Sequence, residues 1–129
     1  MSLGTKRAAK AADATAADGM EVRLLCGLPR GQMALFSLAP GRVGRAVAHR
    51  TVEEIWYFIL GSGRMWRKFG DTEEIVEVGP GVSVSVPVGT QFQLRCDGAE
   101  PLAAVAVTMP PWPGEAEAYF VDGVWQATV

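Results

Sequence analysis

From residue 21 onward the chain reads as short runs of apolar or alternating residues, with Gly, Pro or Asp between most of them. The runs fall at 21–26, 32–38, 43–49, 54–60, 63–69, 73–78, 82–87, 91–96 and 102–109. Short β-type runs recurring roughly every ten residues predict an antiparallel sandwich or barrel, and no helical period of any length interrupts them.

The run 54–60 organises the rest. Alternation puts Glu54, Trp56, Phe58 and Leu60 on one face and Ile55, Tyr57 and Ile59 on the other. Both faces are apolar, which predicts a central strand with one face lining an interior and the other forming an intersheet or subunit layer. A carboxylate on the inner face needs a proton, a cation or donors, because burying it bare is costly. Gly61, Ser62 and Gly63 supply the turn that sends the chain back. By the same alternation Phe92 and Leu94 point inward from 91–96, and on 43–49 the parity that turns His49 inward carries Val47 and Arg45 with it.

The flanks have a different texture. Residues 1–19 are rich in alanine but have no apolar stripe, so they read as a flexible tail or a short helix ahead of a single domain over 20–129. Pro110, Pro111, Trp112, Pro113 and Gly114 cannot form a central strand and predict an ordered crossing loop. Residues 118–126 then read as a hairpin around Asp122 and Gly123.

Composition narrows the function classes. The 129 residues are 49% hydrophobic and 20% charged, with a net charge of −2 spread along the chain. No basic stripe argues for nucleic acid. No apolar run approaches the roughly 20 residues of a spanning helix, and the start lacks the apolar core of a signal peptide, so no membrane partner is expected and the expected location is cytoplasmic. Cys26 and Cys96 are expected to be small buried thiols rather than a pair. A Gly-rich phosphate loop, a CxxC pair and a nucleophile elbow are all missing from the sequence.

Four residues separate His49, the single histidine, from Glu54, and six separate Glu54 from Gly61; Gly81 and Pro87 stand in the run GVSVSVPVGT. With this spacing the chain resembles the cupin family at both of its motifs. The resemblance implies an all-β double-stranded β-helix, an antiparallel jelly-roll-like barrel commonly paired as a homodimer. In metal-binding cupins the ligands are two histidines and the glutamate of the first motif and the histidine of the second. Val47 stands at the first histidine position here, Phe92 at the second-motif histidine and Cys96 at the usual asparagine. Two donors hold a divalent ion poorly, so no cofactor is expected; a divalent metal, if bound, would use His49 and Glu54.

These residues carry three readings of function. The first is binding of a small organic molecule in a largely apolar, metal-poor pocket, with Arg45, Val47, Trp56, Phe58, Phe92 and Leu94 as walls and His49 and Glu54 as polar centre. The second is an enzyme: a sugar isomerase or epimerase using His49 and Glu54 as acid and base, or a metal-dependent dioxygenase if further ligands appear. The third is a barrel whose aromatic side chains simply fill it, leaving a structural or interaction domain. Arg45 reads either as a clamp for a ligand carboxylate or phosphate, or as a solvated rim residue.

Overall fold

The computed structural model describes residues 3–129, and every regular element in it is a strand. The strands are β1 (Ala14–Thr15), β2 (Glu21–Leu28), β3 (Gly31–Leu38), β4 (Val47–His49), β5 (Glu53–Leu60), β6 (Gly63–Phe69), β7 (Thr72–Val78), β8 (Ser83–Val86), β9 (Gln91–Cys96), β10 (Leu102–Met109) and β11 (Ala118–Phe120). They form a six-stranded sheet in the order β1-β2-β3-β10-β5-β8 and a five-stranded sheet in the order β11-β4-β9-β6-β7, with all pairings antiparallel. Leu38, Trp56, Phe58, Met65, Phe92 and Leu94 belong to one buried core. No helix of the described residues is long and apolar enough to cross a membrane.

Alternation in β5 is as the sequence predicts as far as Ile59: Glu54, Trp56 and Phe58 are buried, whereas Ile55, Tyr57 and Ile59 stand on the outer face, half exposed; Leu60, expected inward, is 38% exposed where the pairing with β10 slips between Ala103 and Ala104. β7 forms the free edge of the five-stranded sheet and carries Glu73, Glu74 and Glu77. Lys68, Arg67 and Arg64 of β6 face them in register, and Arg67 binds the Glu74 carboxylate at 2.6 Å.

Several expectations are corrected. The run 43–49 is a continuous strand only from Val47, because the register with β9 slips by one residue between the Val43–Arg95 bridge and the Val47–Phe92 pair, where Arg45 N turns to the Asp18 carbonyl at 2.9 Å. Parity therefore fails upstream of Val47, and Arg45 is exposed, donating from Nε to the Val129 carbonyl at 2.9 Å with its guanidinium over the Phe120 ring. It lines no interior.

The hairpin at 118–126 is not formed. β11 pairs with β4, after which the chain crosses the outer face of the five-stranded sheet. Gln93, on the face of β9 opposite Phe92, is 1% exposed and holds this crossing with four bonds. Its Nε2 donates to Gly44 O (2.8 Å) and Trp125 O (2.9 Å), and its Oε1 accepts from Val124 N (3.0 Å) and Trp125 N (3.1 Å). A primary amide saturated in this way outcompetes a two-residue turn.

The N-terminal segment is extended, not helical, along its described part; Met1 and Ser2 of the expected tail lie outside the described residues. Arg23 donates to the carbonyls of Ala9 and Lys10, and Asp13 accepts from Leu24 N, which ties the segment to β2. Of the two cysteines, Cys96 is buried as expected but Cys26 is exposed.

Candidate functional site

β4 ends at His49, and β5 presents Glu54 from the opposite sheet, so two polar side chains meet at one end of an apolar interior. His49 is 5% exposed and Glu54 3%. The His49 Nδ1 lies 3.9 Å from Glu54 Oε1, too far for a direct hydrogen bond, and this nitrogen has no other partner. Glu54 Oε1 instead accepts from the Trp56 indole at 3.0 Å.

Electrostatics sets both groups neutral. Burial pushes the Glu54 carboxyl up to about 8, against the indole hydrogen bond and with help from the nearby carboxylates of Asp18 and Glu117. Burial pulls His49 down to about 4, opposed by the Glu117 charge and by the polar backbone at Val52. Near neutral pH the pair is a carboxylic acid beside a free imidazole base, not an ion pair.

The walls are aromatic. Trp56 stacks on Phe36 at 5.4 Å between centroids and lies 5.9 Å from Phe92 and 6.0 Å from Phe58. The His49 ring has Phe92 edge-on at 5.3 Å and Trp112 edge-on at 4.9 Å. Trp112, 41% exposed, belongs to the crossing loop between β10 and β11 and covers the imidazole from outside. Val47, Trp56, Phe58, Phe92 and Leu94 are thus brought together inside the barrel, each almost fully buried.

Glu117 and Asp18 were not singled out by sequence. Glu117, just before β11, accepts from Thr51 N (2.7 Å), Val52 N (3.0 Å) and the Thr51 hydroxyl. Partial burial raises its proton affinity, but these bonds outweigh it and keep it a carboxylate, below the usual range. Asp18 caps Met20 N at 3.0 Å and is pushed by burial up to about 6. Neither residue lies in a recognisable motif; each acts across more than thirty residues of chain on Glu54 or His49, a distance no local pattern encodes.

The donor set does not fit a divalent metal ion. His49 and Glu54 contribute two donors, the edge of Phe92 occupies the flank of the imidazole, and no group of three His, Cys, Asp or Glu side chains converges among the described residues.

A family model described as the cupin domain matches residues 34–108. Among solved structures, the chain is similar to an uncharacterized conserved protein with a double-stranded beta-helix domain from Klebsiella pneumoniae, with a TM-score of 0.65 and 16% identity over 81% of this chain and 85% of that one. It is also similar to the capsular polysaccharide assembling protein CapF from Staphylococcus aureus (TM-score 0.66, 21% identity, 81% of this chain and 32% of that one). Oxalate decarboxylase from Bacillus subtilis gives a TM-score of 0.69 at 18% identity, over 83% of this chain and 29% of that one. The chain therefore spans about a third of the last two, and at these identities the likeness is one of fold. It matches no curated protein.

Proposed function

The chain belongs to the cupin family, and on that premise we propose that it binds a small, uncharged organic molecule at the His49–Glu54 end of its barrel. The observation that carries this is the His49 Nδ1, buried without a partner under a removable indole. An orphaned buried acceptor is costly, and a ligand that satisfies it recovers that cost. Trp112 can leave at modest expense. Pro110, Pro111 and Pro113 have no N–H to give, and the bonds that anchor this loop gather at its far end, where Arg50 N and Nε donate to the Glu117 and Ala116 carbonyls. Charge selects against anions, because the Glu117 carboxylate lies near and Arg45 points elsewhere.

The test is a titration with phenol, followed by the indole N–H resonances in NMR. Shifts at Trp112 and Trp56 with affinity on the order of millimolar, lost in His49→Phe, are expected. Shifts confined to the outer faces of the sheets, or none, would refute the reading. A second reading, an isomerase or epimerase, is favoured by one observation: the acid and the base are already in complementary protonation states. Exchange of a carbon-bound hydrogen of a bound hydroxyketone for solvent deuterium separates catalysis from binding alone.

The partner proposed for the outer face of the six-stranded sheet is a second copy of this chain. Ile55 and Tyr57 of β5 lie in register with Val107 and Val105 of β10 and with Ser85 and Ser83 of β8, and these six residues line one shallow groove. None of the six is charged, and a two-fold pairing centred on the groove keeps Arg23 and Glu53, which share this face, at its rim. Sedimentation at tens of micromolar should find a dimer, and Tyr57→Glu a monomer. A monomeric wild type would remove this interface.

A further inference from the structure

A second buried polar atom near His49 has no partner. Thr90 is 1% exposed, and its hydroxyl makes no hydrogen bond among the described residues. It stands one residue before β9 with the parity of Phe92 and Leu94, both of which point into the core. Thr90 closes the turn that follows Pro87, with its N–H on the Pro87 carbonyl at 3.0 Å, and Gly89 N bonds the His49 carbonyl at 3.2 Å, which fastens this turn to the end of β4. Two orphaned polar atoms, one on an imidazole and one on a hydroxyl, thus sit at the same end of the same interior.

Thr108 is the internal contrast. It lies opposite Glu54 in register and is equally buried, yet its hydroxyl has the Gln32 carbonyl at 3.4 Å. The barrel end therefore satisfies one threonine from its own backbone and leaves the other open.

We propose that Thr90 and His49 form a two-point clamp for a single hydroxyl group of the ligand, with the Thr90 side chain as a specificity-determining residue. A ligand hydroxyl has one proton to give and lone pairs to receive, so it can donate to an unprotonated ring nitrogen and accept from the threonine hydroxyl at once. An isostere without that hydroxyl satisfies neither and leaves both desolvated. The ligand class is an alcohol, phenol or enol with an apolar body the size of the Trp112 ring it displaces. This rests on the binding reading above and adds the group that is read and the residue that reads it.

The experiment compares phenol with fluorobenzene, which has the same ring and no donor. On the wild type, phenol should bind about tenfold more tightly, with both probes shifting the Trp112 indole resonance. Thr90→Val, which keeps the shape and removes the hydroxyl, should bring the ratio close to one; Thr90→Ser should restore it; Thr108→Val should leave it at the wild-type value. If both probes bind in the barrel and Thr90→Val preserves the phenol preference, the clamp is wrong while the binding reading stands. If neither probe shifts Trp112, both fall together. A variant that fails to fold is recognised by its lost amide dispersion, and the Thr90→Ser ratio then decides: a preference for phenol upholds the clamp, and its absence overturns it.

Discussion

Raising the pH from 6.5 to 8 should cost the folded protein about 1.4 kcal/mol of stability, and Glu54→Gln should abolish that loss. The window follows from the buried groups. The Glu54 carboxyl is pushed from 4.5 to about 8 on folding, so the native state holds its proton more tightly than the unfolded chain does. Stability from that proton is complete below the unfolded value and is lost as pH rises through the folded one. His49 works the other way: lowered from 6.5 to about 4, it contributes stability that is complete above 6.5 and lost as pH falls. Asp18, raised to about 6, has completed its loss by then. Between 6.5 and 8 Glu54 dominates the slope, which starts at about 1.4 kcal/mol per pH unit and falls to about half of that at pH 8, while the last of the unfolded-state His49 titration returns about 0.4 kcal/mol. Urea midpoints at the two pH values check it, and glutamine, which can still accept the Trp56 hydrogen bond, isolates the proton. A wild type equally stable at both would mean that Glu54 is ionised and partnered.

Gln93→Leu should lower stability by about 4 kcal/mol and release the C-terminal crossing. Leucine approximates the volume, so the cost lies in the four backbone groups left behind: Gly44 O, Trp125 O, Val124 N and Trp125 N. Added chymotrypsin should then cleave after Phe120 or Trp125 many times faster than in the wild type, because the crossing loses its central tether. Remaining contacts, such as Thr128 N to Val43 O at 2.9 Å, hold only its far end. An unchanged urea midpoint together with unchanged cleavage would show that the amide is incidental to the crossing.

How much of this was legible in the sequence depended on how local the cause was. Strand periodicity is local, so the strands from Glu53 to Met109 fall within a residue or so of the predicted runs, and the inward set Glu54, Trp56, Phe58, Phe92 and Leu94 follows from alternation. Arg45 falls outside because the pairing with β9 slips by one residue between Val43, opposite Arg95, and Val47, opposite Phe92. The helix alternative for the start fails over its described part because Arg23 and Asp13 hold that segment against β2 through bonds that alanine content cannot announce. Thr90 and Glu117 looked like ordinary loop residues. Only the juxtaposition of distant segments makes one hydroxyl an orphan and the other side chain a carboxylate fastened to two backbone amides.

The acidic rim of β7 has a bearing on how copies of this chain can gather. Two such borders brought side by side would crowd Glu73, Glu74 and Glu77 against their own kind and strip water from carboxylates that Arg64, Arg67 and Lys68 hold, which disfavours the extension of one sheet by another along this edge. The groove around Tyr57 is uncharged, and the two-fold arrangement proposed for it uses up the surface that makes it. Growth should therefore stop at two, and crowding the protein in solution should yield pairs rather than ribbons.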